Sequence, residues 1–476
     1  MARRTWAVAG GVLVVLVALA GRYGYHRDEL YFLACGRHLA WGYVDQPPFT
    51  PAVARLSEAL FGGSLYGLRL FPALADAGIV LLAAATARAL GAGRRAELLA
   101  ALGGAFGSVF LGTGHILATA TFDNLFWAAV VYVAVVALRP GADQRLWLLA
   151  GAVAGVGLLN KHSVAFLLAG LLFGLLVARR DVARTPWPWL GALVALAIWS
   201  PNLVWQAQHD WPVLDMSRSL HDEGVRDSNA IVFLPAQLVF LNPVLAPLWV
   251  AGLMWLLRDA AARAFRPVAI AWVALAAVFV VTSGKPYYLA GLYPALLAAG
   301  GVWVERRWST GGTRRYVAAV VAFGTLSAVI ALPILPIGAV GDGPIAEVNE
   351  EHRESYGWPA FARAVDAAAR PGDVVFAGNY GEAGAVERFS ERDLPAYSGH
   401  NNYWWWGPPP DDAAGVVVVG HDHGYVAAHF TGCGPPVVFR NAENIPNEEN
   451  GVEITRCVGP RRPWSVEWDA LRHYDA

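Results

Sequence analysis

Charge is scarce in this 476-residue sequence: 15% of it is Asp, Glu, Lys or Arg, against about a quarter in soluble domains. Neither sign dominates, since the net charge is −1. That balance argues against nucleic acid or another polyanion as the main partner. Cysteine is nearly absent too. Cys35, Cys433 and Cys457 are too few for a disulfide framework and lack metal-ligand spacing. What fills the chain is apolar: 56% of residues are hydrophobic and the mean hydropathy is +0.40. The 20 tryptophans suit rings that sit at a membrane–water boundary. The composition is that of a chain built for lipid.

Apolar runs fall near 6–22, 68–90, 97–112, 123–138, 145–160, 163–178, 187–206, 231–257, 267–282, 287–304 and 315–338. Each is of a length that suits a spanning helix, about eleven in all. The first follows Arg3-Arg4, has no small-x-small cleavage site, and reads as a retained span rather than a signal peptide. Arginines mark every second connection. They are Arg88, Arg94 and Arg95; Arg139 and Arg145; Arg179, Arg180 and Arg184; Arg258, Arg263 and Arg266; and Arg306, Arg307, Arg314 and Arg315. This alternation places the N-terminus inside. The stretch 25–49, the 114–123 loop, the NKHS turn (160–163), the 207–230 loop, SGKPYY (283–288) and the C-terminal tail then lie outside. Beyond about 342 the pattern changes. AFARAVDAAAR (360–370) has helical periodicity, whereas DVVFAG (373–378), GVVVVG (415–420) and PPVVFR (435–440) read as short buried strands. Residues 342–476 are therefore expected to form a small α/β domain on the outer face, after a transmembrane domain over 1–341. Cys433 and Cys457 lie in that domain, in a compartment that permits a disulfide.

The outer side holds nearly all the carboxylates, histidines and lysines near the membrane. Asp28 and Glu29 follow the first span, and Asp45 precedes Pro47-Pro48, which stiffen the chain where it turns back toward lipid. A solvated acidic loop would explain one such residue. Asp123, at the start of another span on the same side, makes that explanation insufficient, because ionisable groups beside lipid usually face a cavity or a partner. Carboxylates from separate loops suit a general base or a metal. Arg27, Lys161, His162 and Lys285 add positive charge on the same face. Together they suit activation of a hydroxyl with stabilisation of a departing phosphate.

Some features have plainer explanations. Lys285 could be an interfacial anchor. Arg69 and Asp76 share a helical face two turns apart and read as an internal pair. In HNNYWWWGPPP (400–410), Asn401, Asn402, Tyr403, Trp404, Trp405 and Trp406 could contact a sugar or acceptor, or dock the outer domain on the membrane. HDH at 421–423 is a weak metal signal.

The stretch DELYFLACGRHLAWGYVDQPPF resembles the first external loop of the family-39 glycosyltransferases of the GT-C fold, which include protein O-mannosyltransferases and bacterial aminoarabinose transferases. The family pattern is an Asp-Glu pair, an acidic residue before Pro-Pro, and an Asp opening a later span. GLLNKHSVAF (157–166) and GKPYYLAGLYPAL (284–296) are similar to further family segments, with Lys161 in the family's lysine position. One departure is Gln46, where aminoarabinose-transferase-like members carry a lysine. The resemblance covers roughly residues 1–300.

The resemblance implies a polytopic α-helical GT-C protein of the bacterial cytoplasmic membrane, with loop 23–67 catalytic. It implies inverting transfer of a sugar from a polyprenyl-phosphate donor to an extracytoplasmic lipid, glycan or protein. Asp28 would be the base, and Asp45 and Asp123 would orient acceptor, sugar or a neighbouring cation. Glu29 would be catalytic or structural. Lys161 and Lys285, with Arg27 and His162, would hold the donor phosphate. The resemblance fixes no cofactor, and the acidic set could serve with or without a divalent cation. A transporter or flippase of lipid-linked saccharide is the competing expectation, disfavoured because the carboxylates cluster at one face and no internal repeat is present.

Overall fold

The computed structural model describes residues 2–227, 230–340, 343, 345 and 349–475, with side chains left undescribed over 220–231. The expected boundary at 341/342 lies outside the described residues.

The first two-fifths of the chain is a succession of helices: α1 (Arg3–Leu19), α2 (Arg27–Arg37), α3 (Phe49–Phe61), α4 (Leu65–Ala89), α5 (Arg94–Ala105), α6 (Ser108–His115), α7 (Thr119–Ala137), α8 (Leu146–Leu158) and α9 (Val164–Ala178). Among the described residues six helices are long and apolar enough to cross a bilayer: α4, α7, Trp187–Gln208, Ala260–Val281, Pro286–Arg307 and Thr310–Ala331. Two bent pairs raise the number to eight. Helices α5 and α6 meet at 54°, and Val232–Val239 meets Pro243–Arg258 at 91°. Each of the eleven expected runs has a helical counterpart, but α8 and α9 have only 13 and 15 residues. At about 1.5 Å per residue these fall short of a hydrocarbon core about 30 Å thick. The run 315–338 is displaced: its helix starts at Thr310 and stops at Ala331, two residues before Pro333, as proline disfavours a helical predecessor.

Close helix contact rests on small residues. A Cβ on Gly252 would run into the Leu296 carbonyl, and one on Gly300 into that of Leu248. Pro243–Arg258 and Tyr293–Arg307 therefore pack backbone against backbone, a mode typical of helices in lipid.

The tail carries a five-stranded sheet in the order β2-β1-β3-β6-β5. Its strands are β1 (Asp373–Ala377), β2 (Ala396–Ser398), β3 (Gly415–Val419), β5 (Val437–Val438) and β6 (Glu453–Cys457), while β4 (Phe430–Thr431) pairs with β7 (Gly459–Pro460). β2, β1 and β3 are parallel, with Val375 opposite Val417 and Ala396; β6 and β5 run antiparallel. β1 and β3 are fully buried, as continuous apolar runs in a covered sheet should be. The expectation for 435–440 needs correction: β5 is an edge strand with both valines exposed. Cys433 and Cys457 are joined in a disulfide.

The first loop and the sheet share one hydrophobic core. Tyr25, Leu30, Tyr31, Leu33 and Tyr43 pack with Trp358, Phe361, Val375, Ala383, Val386 and Val417. Helix Tyr380–Phe389 lies against α2, with Gly381 facing Arg27 and Gly384 facing Leu30 at distances where a Cβ would crowd both. The tail is thus not a separate body hung below the bundle. It is the other wall of the first loop.

Candidate active site

Helix α2 begins in a capping box. The His26 ring accepts from the Asp28 amide, and the Glu29 carboxylate accepts from the His26 amide. Acidic residues at this helix start are favoured by its dipole. Adjacent residues on a helix point about 100° apart, and here that separates two fates. Glu29 turns inward and is fully buried. Its oxygens accept from Arg69 Nε and Nη2 at 2.9 and 2.8 Å and from the Leu117 amide at 2.9 Å. Every lone-pair direction has a donor, which makes Glu29 an anchor. Arg69 therefore pairs with Glu29 and not with Asp76, as its spacing had led us to expect. Asp76 is buried, and neither of its oxygens has a hydrogen-bond partner among the described residues.

Asp28 points the other way, with 36% of its side chain exposed. Its Oδ1 accepts from the Tyr380 hydroxyl at 2.8 Å. Tyr380 stacks on Tyr31 at 4.5 Å, and Tyr31 donates to Asp45 Oδ1 at 3.0 Å. Two stacked tyrosines thus hold the two carboxylates of the loop, one from each wall. Burial pushes the Asp45 carboxyl up to about 6, against the Tyr31 hydrogen bond that favours its charged form. Gln46 beside it is buried, and its amide has no partner among the described residues.

Asp123 opens α7 and is 8% exposed. Its Oδ1 accepts from Ser163 Oγ at 2.6 Å, and Lys161 lies within electrostatic range. The Asn160 side chain fixes this turn, accepting from Thr50 Oγ1 at 2.8 Å and donating to the Thr119 carbonyl at 2.9 Å. Lys161 Nζ sits 5.5 and 5.7 Å from the rings of Tyr287 and Tyr288, a cation–π arrangement that holds the charge without neutralising it. Tyr287 in turn lies in the field of Glu351, Asp123 and Asp28. Asp28 and Asp45 are thus joined through the stacked tyrosines, and Asp123 and Lys161 lie near Tyr287, whose field Asp28 shares; Lys285 is two residues from Tyr287 in the sequence. Lys161 and Lys285 are the two lysines of the chain. Neither has a carboxylate within 4 Å among the described residues.

Other expected residues are placed differently. Arg27 is occupied: Nη1 is 2.7 Å from Glu448 and 3.8 Å from Glu354, and Nη2 donates to Tyr380 at 3.4 Å. His162 Nε2 is 3.0 Å from the Asn202 side chain, and Asn202 bonds the Trp41 carbonyl. It braces the rim of the loop. The aromatic run is engaged within the fold. Asn402 accepts from the Val44 amide at 2.8 Å and Asn401 donates to the Asp475 carbonyl at 2.9 Å. Tyr403 is buried. Trp404 Nε1 donates to the Trp468 carbonyl, and Trp468 Nε1 donates to the Trp404 carbonyl. Trp405 donates to Tyr474, and Trp406 stacks on His38 at 4.4 Å. The run clamps the tail onto the first loop. At 421–423, His421 is stacked on Phe376 and Tyr425 and Asp422 caps a helix, so no ligand set forms there.

Among the described residues, two groups have metal-ligand spacing: His400, His473 and Asp475, and Glu354, Glu448 and Glu449. Neither contains Asp28, Asp45 or Asp123. Tyr380 was missed in the sequence because nothing local marks it; its partner is 352 residues away.

The sequence signature described as dolichyl-phosphate-mannose-protein mannosyltransferase matches residues 45–205. The lipid A galacturonosyltransferase RgtD of Rhizobium johnstonii is 27% identical over 239 residues, 47% of this chain and 48% of that protein. The match thus spans about half the length of that relative. The structure of ArnT from Cupriavidus metallidurans bound to undecaprenyl phosphate aligns with a TM-score of 0.64 at 16% identity, covering 95% of this chain and 98% of ArnT. The oligosaccharyltransferase AglB from Archaeoglobus fulgidus aligns with a TM-score of 0.53 at 12% identity, covering 83% of this chain and 64% of AglB. The chain has the fold of the GT-C membrane glycosyltransferases, as the resemblance in its first loop implied.

Proposed function

We propose that the chain is an inverting membrane glycosyltransferase that moves a sugar from a polyprenyl-phosphate donor to an acceptor hydroxyl. The observation that carries this reading is that a partly exposed Asp28, held by Tyr380, and Lys161, which has no carboxylate within 4 Å among the described residues, both act on Tyr287. Asp28 takes the proton of the acceptor hydroxyl, whose oxygen attacks the anomeric carbon as the bond to the phosphate oxygen breaks. The leaving phosphate is already anionic and needs positive charge more than a proton. Lys161 and Lys285 supply it, and are worth about 100-fold or more in rate each if they meet the charge as it develops. Asp45 and Asp123 orient sugar and acceptor, while Glu29 holds α2 in place.

The topology accompanies the chemistry. A transmembrane part over 1–341, with about eleven spans and its N-terminus cytoplasmic, would carry a tail over 342–476 on the extracytoplasmic side of a bacterial inner membrane. The disulfide supports an oxidising compartment for the tail. ArnT with undecaprenyl phosphate supports a lipid carrier for the donor, and RgtD supports transfer to an envelope molecule: a lipid, glycan or protein. The likeness to glycosyltransferases over most of the chain favours transfer over the transport of lipid-linked saccharide.

The test uses membranes containing wild type or Asp28→Asn and a panel of radiolabelled polyprenyl-phosphate sugars. Wild type should release sugar from one donor, and the substitution should lower that release at least 1000-fold. Equal release from both would remove Asp28 from the base role. Movement of labelled lipid between leaflets without release would identify a transporter.

A further inference from the structure

A second group of carboxylates lies beside the first loop and takes no part in the proposed transfer. Glu354, Glu448 and Glu449 each offer an oxygen, all within 4.8 Å of one another. Like charges at such spacing cannot all ionise without a compensating cation. Arg27 compensates for one of them, contacting Glu448 closely and Glu354 at 3.8 Å. Glu449 has no ion pair within 4 Å among the described residues.

Glu449 is the telling residue. It is 2% exposed, and neither carboxylate oxygen has a hydrogen-bond partner among the described residues. Glu354 Oε2 is also buried and lacks a hydrogen bond. Burying such oxygens without a partner is costly, whether the group is ionised or protonated.

The surrounding chain is built to keep them there. Asn447 donates to the carbonyls of Arg353 and Tyr356 at 3.3 and 3.0 Å, which fastens loop 441–450 across the segment that carries Glu354. Asn441 closes the loop on itself, donating to the Ile445 carbonyl and accepting from its amide, both at 2.8 Å. Glu448 and Glu449 are therefore presented to Glu354 by a prepared loop.

The ligand set contains carboxylate oxygen and neither imidazole nor thiolate, which selects a hard cation over zinc or copper. Each carboxylate offers one oxygen to a common point, and further carboxylate oxygens or water complete an irregular shell. That suits Ca²⁺, which tolerates variable geometry, better than Mg²⁺, which demands a near-ideal octahedron.

We infer that Glu354, Glu448 and Glu449 form a binding site for one calcium-type divalent cation, which fastens loop 441–450 of the tail beside Arg27 of the first loop. The site is separate from the transfer reaction and does not depend on it.

Equilibrium dialysis of chelator-stripped, detergent-solubilised full-length protein against radioactive Ca²⁺ tests this. Wild type should bind one Ca²⁺ per chain, and Ca²⁺ should raise its melting temperature. Glu449→Gln should weaken binding at least tenfold and remove the thermal shift. Glu448→Gln, at an exposed position that the core does not need, should also weaken it. Asp28→Asn should bind as wild type does. No saturable binding by wild type would overturn the inference. So would unchanged binding in the Glu448→Gln protein, or loss in Asp28→Asn with retention in the glutamate variants.

Discussion

Tyr31 and Tyr380 hold the two aspartates of the first loop, Asp45 and Asp28. Asp45 is pushed up to about 6 by burial, so the carboxylate form that the proposed transfer requires is lost as pH falls below about 6. Activity measured as kcat/KM should therefore rise with unit slope through about pH 6. Tyr31→Phe removes a donor that favours the carboxylate, and should move that limb to higher pH. An unshifted limb would mean that another group controls it. The sign for stability is opposite to that of an ordinary paired carboxylate. A folded value above the unfolded one means that stability declines as pH rises from about 4 to about 6. Residue identity was legible where chemistry is unusual for its surroundings: Asp28, Asp45, Asp123 and Lys161 stand out against apolar neighbours. What neighbours do to one another was not. Glu29 and Asp28 look equivalent in the chain, and only the buried guanidinium of Arg69, 40 residues on, makes one an anchor and leaves the other free. The contacts of the three tryptophans were hidden for the same reason, since Trp468, Tyr474 and His38 reach them from distant parts of the sequence.

Helices were easier to read than their ends. A long apolar run reports burial or lipid whatever the rest of the fold does, and each expected run became helix. Breaks inside runs depend on finer balances, such as the bend before Pro243 where Asn242 adopts a positive φ of 118°. The glycine contacts also escaped notice, because glycine in a membrane helix can be a contact or merely small. Gly300 is a contact: its Cα faces the Leu248 carbonyl in a pair of helices joined by small residues. Gly300→Leu should force those helices apart, costing about 1–3 kcal/mol or more as an overpacked site. The check is the melting temperature of the purified protein, with Gly311→Ala, where nothing crowds the added carbon, as a control expected to stay near wild type.

The whole molecule is held together where its two ends meet. Tyr380 reaches Asp28, and Asn402 reaches the Val44 backbone, so the tail contributes to the site and does not merely cover it. Tyr380→Phe keeps the stacked ring and removes the hydrogen bond to a carboxylate, an interaction worth about 1.5–3 kcal/mol. It should lower kcat about 10- to 100-fold with little change in KM or melting temperature. A fall in stability without a kcat effect would make Tyr380 a packing residue only. Strands in the tail could be read from apolar runs such as Gly415–Val419, yet their partner could not, because the core they share with the first loop joins segments some 350 residues apart. That separation has a consequence in time. The first loop leaves the ribosome early, but the hydroxyl that holds Asp28 and the amide that holds Val44 are made only near the end of synthesis. A half-made chain would present its lipid-facing helices and its acidic loop without a finished site. Completion of the candidate site thus becomes a report that the chain has been made and folded through Asn402.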